Sequence, residues 1–174
     1  MVLYFYILGA ILFRLIPHPW DVTPLAAMFL FSGATFRSKS KSLLVPLIAL
    51  LVSDYAVDLL LYHGAYRWFS PFTWSGFLLI GLLGWTLRDK FSWFKMGGAS
   101  IVGSTIFFLV TNFGVWLAWA MYPRSAAGLA SCYAAGIPFY ENSLIGDLFF
   151  AAVMFGSYYW LSQRKRAAAE ESAS

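Results

Sequence analysis

Long apolar stretches, interrupted only by short polar segments, constrain this chain more than any other feature of its sequence. Six stretches near the length of a bilayer crossing cover residues 2–16, 23–36, 42–62, 71–88, 97–122 and 143–163. Backbone polar groups in hydrocarbon must be satisfied within a segment, so each stretch is predicted to be a helix. The first stretch lacks a basic leading region and a cleavage site, which favours a retained helix over a signal peptide.

The composition agrees with lipid as the main solvent. Of the 174 residues, 60% are hydrophobic and only 11% are charged, too few charges for a soluble domain of this length. Eight tryptophans, ten tyrosines and 17 phenylalanines fit aromatic belts at the membrane interfaces. We therefore predict an all-α membrane protein, with one domain of six transmembrane helices over residues 1–166 and a disordered cytoplasmic tail over 167–174.

The basic residues predict the orientation of the chain. They cluster in three segments that fall on one side if the six helices alternate: Arg37, Lys39 and Lys41; Arg88, Lys90 and Lys95; and Arg164, Lys165 and Arg166. The positive-inside rule then places both termini in the cytoplasm. The pI of about 9.3 is therefore interpreted as a topology signal, and no nucleic-acid partner is expected.

The segments predicted on the outer side are rich in aromatic and hydrogen-bonding residues. The first, FRLIPHPWDVTPLAAM, places Arg14, His18 and Asp21 among three prolines that interrupt the helix. The third, MYPRSAAGLASCYAAGIPFYENS, contains Tyr133 and Asn142 and is predicted to be a long loop, of the kind that often forms a lid or binding loop. The cytoplasmic segments are short and basic, so the asymmetry predicts an outward-facing binding surface.

Polar residues within the apolar stretches are further site candidates, because such residues are costly in lipid and often functional. Asp54 and Asp58 are four residues apart and share a helix face, as do Asn112 and Trp116. Asp147 is predicted in the first turn of the sixth helix, where a carboxylate also has a purely structural use.

Together, these residues predict a small-molecule pocket near the outer face. Arg14, His18 and Asp21 would overlook a cavity, and Asn112 and Trp116 would form its floor, with the two aspartates of the third helix beside them. A structural alternative stays open, in which Arg14 pairs with an aspartate and locks two helices together.

The sequence contains no motif for catalysis or nucleotide use. A Walker-type loop, a nucleophile elbow and a zinc-protease histidine motif are all absent. His18, His63 and Cys132 lack metal-ligand spacing, and a single cysteine cannot form an intrachain disulfide. We expect no metal, no cofactor and no enzymatic activity. Two alternatives stay open: a structural or assembly subunit, and an intramembrane enzyme that uses Asp54, Asp58 or His63 as acid–base groups.

Three stretches cover most of the chain from about Arg14 to Gly156: RLIPHPWDVTPLAAMFLFSGATF, LVPLIALLVSDYAVDLL and FFLVTNFGVWLAWAMYPRSAAGLASCYAAGIPFYENSLIGDLFFAAVMFG. They resemble a family of small bacterial inner-membrane proteins of unassigned function. That family is related to the substrate-binding S-components of energy-coupling-factor (ECF) transporters. The pattern Thr-Asn-Phe-Gly-x-Trp, followed by Tyr-Pro, is the most specific part of the resemblance.

The resemblance implies a six-helix bundle of the S-component type, in a multi-pass protein of the bacterial cytoplasmic membrane. Such a protein captures a vitamin-like micronutrient near the outer face, under loops that act as a lid. It then docks to a shared transmembrane subunit that is driven by ATPase subunits. The Ala-x-x-x-Ala docking pattern of many S-components is absent from the first helix, where YILGAILF offers only Gly9 and Ala10. A transporter that works alone is therefore the alternative.

Overall fold

The computed structural model describes residues 2–14, 16, 22–63, 70–88 and 92–171, and most of these residues are helical. Within these ranges there are six α-helices: α1 (Val2–Phe13), α2 (Leu25–Thr35), α3 (Lys39–Val57), α4 (Pro71–Gly84), α5 (Trp93–Ala118) and α6 (Ala126–Glu171). A π-helical turn, Asp58–Tyr62, continues α3, and a 3-10 turn, Trp85–Leu87, continues α4. No strand occurs in these ranges, so the prediction of an all-α fold is confirmed.

Three helical segments are long and apolar enough to cross a membrane: Lys39–Leu60, Trp93–Ala118 and Ala126–Glu171. The apolar helices Leu3–Phe13, Leu25–Thr35 and Pro71–Leu87 are shorter, with 10–17 residues each. Large apolar side chains cover much of the outer surface, including those of Phe5, Phe94 and Ile145. These features are compatible with a membrane protein, because lipid tails solvate apolar side chains that water would not.

The short helix α2 lies at the centre of the bundle and contacts each of the other five helices. Its residues from Leu25 to Gly33 are all buried, and the side chains of Phe29 and Phe31 have no exposed surface. A helix that is apolar on all sides is typical of a protein core or of a membrane span. Neighbouring helices enclose α2, so its 11 residues do not have to match the thickness of a bilayer by themselves.

Glycines bring the backbones of α2 and α4 into contact. A Cβ atom added at Gly33 would overlap the carbonyl oxygen of Gly81, and one added at Gly84 would overlap that of Leu30. Small residues permit this close approach of two helices. At the end of α2, Nε of Arg88 donates a 2.9 Å hydrogen bond to the carbonyl oxygen of Gly33, which has lost its helical partner.

The last helix begins much earlier than the sequence predicts. Ser125 caps α6, because its Oγ accepts a 3.1 Å hydrogen bond from the backbone nitrogen of Gly128. The prediction of a long external loop over 121–143 is therefore wrong, since residues from Ala126 onward are helical. Asp147 lies in the interior of this helix and not in its first turn. A straight helix of 46 residues is about 69 Å long, more than twice the roughly 30 Å of a bilayer core.

Contacts with α5 hold the first half of α6 in a helix despite its loop-like composition. The hydroxyl of Tyr133 donates a 2.9 Å hydrogen bond to the carbonyl oxygen of Leu109. Sγ of Cys132 lies 3.4 Å from the backbone carbonyl oxygen of Asn112. Gly136 packs so tightly that an added Cβ would lie 2.6 Å from Oδ1 of Asn112. Tertiary packing therefore outweighs the glycines and the proline that favour a loop in this segment.

The C-terminal tail is also more ordered than its composition predicts. The helix continues to Glu171, so residues 167–171 of the predicted disordered tail are helical. These five residues are exposed, and they are alanines and glutamates, which have high helix propensity. Residues 172–174 lie outside the described part of the chain.

Candidate functional site

A cavity of about 810 Å³ opens at one end of the helix bundle. It is formed by the C-terminal parts of α3 and α5, the N-terminal ends of α2 and α4, the residue that follows α1, and the middle of α6. The described residues of its lining are Arg14, Thr23, Leu25, Ala26, Leu50, Asp54, Ser70, Pro71, Phe72, Thr73, Phe77, Phe107, Thr111, Gly114, Val115, Ala118, Trp119, Ala120, Met121, Ser143 and Asp147. The basic segments around Arg37 and Arg88 connect the opposite helix ends.

An ion pair forms one side of the cavity. Arg14 lies in the turn after α1, and its Nη1 is 2.6 Å from Oδ1 of Asp54 on α3. The same nitrogen donates to Oγ of Ser53. The two charged side chains are only 11% and 6% exposed, so the pair is largely shielded from solvent. The structural alternative, in which Arg14 pairs with an aspartate, is the arrangement observed, and the pair links α1 to α3.

A second carboxylate, that of Asp147, enters the lining from α6. Oδ2 of Asp147 lies 2.6 Å from Oγ of Ser104 on α5, and both residues are buried. The Ser104 hydroxyl is also 3.0 Å from the carbonyl oxygen of Ser100. Its one hydrogen goes to the carboxylate when Asp147 is ionised, because a charged acceptor forms the shorter and stronger hydrogen bond.

Aromatic rings form much of the apolar wall. Phe77 of α4 and Phe107 of α5 have ring centroids 4.5 Å apart, and Phe77 also stacks on Phe29 of the central helix at 5.3 Å. Phe72 lines the cavity from the first turn of α4, and Trp119 lines it from the end of α5. A mostly aromatic wall with a few fixed polar groups is typical of sites for small organic molecules.

Two hydroxyl groups of the lining, those of Thr111 and Ser70, form hydrogen bonds with the backbone. Oγ1 of Thr111 donates a 2.8 Å hydrogen bond to the carbonyl oxygen of Phe107, one turn earlier in α5. Oγ of Ser70 accepts a 3.3 Å hydrogen bond from the backbone nitrogen of Thr73 and thereby caps α4. Because Thr111 has already donated its hydrogen, its remaining lone pairs make it an acceptor toward a molecule in the cavity.

The structure brings three of the ten predicted site residues into this lining: Arg14, Asp54 and Asp147. The other described candidates, Asp58, Asn112, Trp116, Tyr133 and Asn142, are not among the lining residues. Asp58 lies half-buried at the start of the π-helical turn, and Asn142 is exposed on α6. His18 and Asp21 lie outside the described residues.

The two predicted floor residues of α5 have structural contacts instead. Nδ2 of Asn112 donates a 2.9 Å hydrogen bond to the carbonyl oxygen of Phe108, and its amide packs against α6. Nε1 of Trp116 donates a 2.9 Å hydrogen bond to the carbonyl oxygen of Pro123, and the guanidinium of Arg124 lies 5.7 Å from the Trp116 ring. Asn112 and Trp116 do share a face of α5, as predicted. This face packs against α6 and against the segment between α5 and α6, and it does not form the floor of the cavity.

The cavity wall instead uses a neighbouring face of α5. Thr111 and Val115 of this helix line the cavity, and both stand one position before the predicted pair. One step along a helix rotates a side chain by about 100°, so adjacent residues face different neighbours. Phe72, Phe77 and Phe107 were not distinguished by the sequence, because apolar rings in apolar helices give no separate signal.

No group of three histidine, cysteine, aspartate or glutamate side chains within the described ranges has the geometry of a metal site. The described lining of the cavity presents a guanidinium, two carboxylates, hydroxyl groups and aromatic faces.

Comparison with protein families gives one match over nearly the whole chain. The sequence profile of a family described as "Family of unknown function (DUF6580)" matches residues 1–169. Comparison with curated proteins and with solved structures finds no match.

Proposed function

The chain belongs to DUF6580, a family of unknown function, and we propose its function from the geometry of the cavity. The protein is a non-enzymatic membrane component that binds a small organic micronutrient, vitamin-like in size, for uptake into the cell. It acts as a substrate-binding subunit of the S-component type in the bacterial cytoplasmic membrane.

The cavity is the observation that carries this proposal. A space of about 810 Å³ lies within the range of roughly 300–1,000 Å³ that is usual for small-molecule sites. Its wall combines aromatic rings with the Arg14–Asp54 pair and the buried Asp147. Ionisable groups are costly inside a membrane protein, and a ligand site is a common reason for them.

The distribution of basic residues supports capture from outside the cell. The cavity opens at the helix ends opposite to the segments around Arg37 and Arg88, and basic segments favour the cytoplasmic side. We propose six crossings with both termini in the cytoplasm. The short helix α2 serves as one crossing because the surrounding helices shield it from lipid. Non-helical backbone at membrane depth is tolerated where protein encloses it, so the residues at the ends of α2 need not be helical.

Energy for uptake would come from other subunits. The chain has no nucleotide-binding loop, so ECF-type transmembrane and ATPase subunits are the proposed partners within the lipid bilayer. A transporter that works without such subunits would have to couple uptake to an ion or to a concentration gradient.

The direct test is identification of small molecules that the purified protein retains in mild detergent, by mass spectrometry after denaturation. Ala118→Trp adds bulk at the cavity mouth and is expected to lower retention by about tenfold or more. The matched control is Ala127→Trp, because Ala127 is also an exposed helix-end alanine but lies outside the lining.

A second pair of variants tests the polar wall. Thr111→Val removes a cavity hydroxyl without changing side-chain volume appreciably, and it is expected to weaken retention several-fold to about a hundredfold. Thr86→Val is the control, since the Thr86 hydroxyl also bonds back to a carbonyl oxygen of its own helical segment, that of Leu83, but lies outside the lining. A wild-type protein that retains no small molecule, or equal retention in cavity and control variants, would contradict the proposal.

A further inference from the structure

We infer that the molecule taken up by the cavity is an organic cation, with a basic nitrogen that contacts the carboxylate of Asp147. This inference rests on the proposed function, and it assigns the chemical class of the ligand from the charges, hydrogen bonds and rings of the lining.

The charge balance of the cavity is the first step. Its described lining contains one guanidinium, that of Arg14, and two carboxylates, those of Asp54 and Asp147. Nη1 of Arg14 and Oδ1 of Asp54 are 2.6 Å apart, so the charges of these two side chains neutralise each other. The remaining charge is that of Asp147, so an ionised Asp147 gives the described lining a net negative charge. A cationic ligand restores neutrality, and an anionic ligand would add to the repulsion.

The contacts of Asp147 are the second step. Ser104 occupies Oδ2, at 2.6 Å. In the described part of the chain, no side chain or backbone group donates a hydrogen bond to Oδ1, and no cationic group lies within ion-pair distance. Burial without a counter-charge is unfavourable for a carboxylate. A ligand ammonium that reaches Oδ1 would supply both the missing donor and the missing charge.

The remaining wall favours the same class of ligand. Thr111 has donated its hydrogen to the carbonyl oxygen of Phe107 and presents lone pairs to the cavity. The rings of Phe72, Phe77 and Trp119 contribute aromatic surface, whose negative faces attract cations. The cavity that Asp147 lines therefore also presents hydroxyl acceptors and aromatic faces, and Asp147 is the one carboxylate of its described lining without an ionic partner.

Three probes with one indole skeleton separate charge from shape: tryptamine carries an ammonium, tryptophol a hydroxyl and indole-3-acetate a carboxylate. Binding is measured by equilibrium dialysis with the full chain in lipid nanodiscs, and protein-free nanodiscs are subtracted to remove partitioning. Tryptamine is expected to bind at least about tenfold more tightly than tryptophol, and indole-3-acetate most weakly.

Variants at Asp147 assign the preference to this residue. Asp147→Asn keeps an oxygen for the Ser104 hydroxyl and is expected to abolish the preference for tryptamine over tryptophol. Asp147→Glu retains the charge and is expected to retain the preference. Glu141→Gln, at an exposed position of the same helix outside the lining, is expected to bind all three probes as the wild type does.

The outcomes separate this inference from the proposed function. Equal binding of tryptamine and tryptophol by the wild type indicates a neutral Asp147 and overturns the inference, although a small-molecule site survives. A tryptamine preference that persists in Asp147→Asn also overturns it. If Asp147→Asn does not fold, the double variant Arg14→Met/Asp54→Asn decides, because it leaves Asp147 as the one charged side chain of the described lining. It is expected to keep the preference for tryptamine, and loss of that preference would overturn the inference. If none of the probes binds and the purified protein retains no molecule, the proposed function fails together with the inference.

Discussion

Nη1 of Arg14 lies 2.6 Å from Oδ1 of Asp54, and this ion pair joins the end of α1 to the C-terminal half of α3. The two side chains are only 11% and 6% exposed. Loss of one member of a buried pair leaves an uncompensated charge, whereas loss of both removes the charge altogether. The pair therefore couples the stability of α1 to that of α3, and it also neutralises one side of the cavity.

The first prediction concerns this coupling. Arg14→Met is expected to lower the free energy of unfolding by about 3–5 kcal/mol, because it leaves the buried carboxylate of Asp54 without its counter-charge. Asp54→Asn is expected to cost less, since Arg14 lies at a helix end and its long side chain can turn toward the aqueous interface. The double variant Arg14→Met/Asp54→Asn is expected to recover much of the loss.

The measurement is SDS titration of the four proteins in mixed micelles, analysed as a double-mutant cycle. Arg37→Met serves as the control, because Arg37 is exposed beyond the end of α2. Strictly additive effects of the two single variants would contradict a coupled pair.

The second prediction concerns the backbone contact between α2 and α4. A Cβ at Gly84 would overlap the carbonyl oxygen of Leu30, and backbone atoms cannot move aside as a flexible side chain can. Gly84→Ala is therefore expected to lower the free energy of unfolding by about 1–3 kcal/mol. At Gly98 an added Cβ meets nothing within 4 Å, so Gly98→Ala is expected to be neutral or stabilising by up to about 1 kcal/mol. The same SDS titration compares Gly84→Ala with Gly98→Ala. Equal effects of the two variants on the free energy of unfolding would argue against close packing of α2 and α4.

The third prediction tests the helix that replaces the predicted loop. Cys132 is buried against α5, with only 2% of its surface exposed, while its neighbour Ser131 is exposed. In the folded protein, Cys132 is expected to react with N-ethylmaleimide at least about tenfold more slowly than a cysteine in the Ser131→Cys/Cys132→Ser variant. Both thiols should react at similar rates after denaturation. Fast labelling of native Cys132 would indicate the mobile loop that the sequence alone favours.

The fourth prediction concerns orientation in the membrane. In a Cys132→Ser background, Ser40→Cys in the first turn of α3 is expected to be shielded from an impermeant thiol reagent in intact cells. Ala127→Cys in the first turn of α6 is expected to react. Both positions are exposed on the protein itself, so a difference in labelling reports the side of the membrane. The reverse pattern would invert the topology that the basic segments predict.

Several properties of this protein could be predicted from its sequence because they depend on local chemistry. The apolar stretches predict helices, since only a helix satisfies its backbone hydrogen bonds within one apolar segment. The sequence also offers the pairing of Arg14 with an aspartate as an alternative, because a cation near lipid is stabilised by a counter-charge. Asp54 and Asp147 were recognised as site candidates for the same reason, and both line the cavity.

Only the tertiary structure decided which surfaces meet. Periodicity predicts that Asn112 and Trp116 share a face, but the neighbour of that face depends on how α5 and α6 pack together. The extent of α6 was decided in the same way: contacts of Cys132 and Gly136 with α5 stabilise a helix where composition favours a loop. Most helix faces of this chain carry similar apolar residues. Hydrophobicity therefore predicts which segments are helical but does not predict which helix faces pack against each other. Shape and hydrogen bonding between helices, which involve residues far apart in sequence, make that choice.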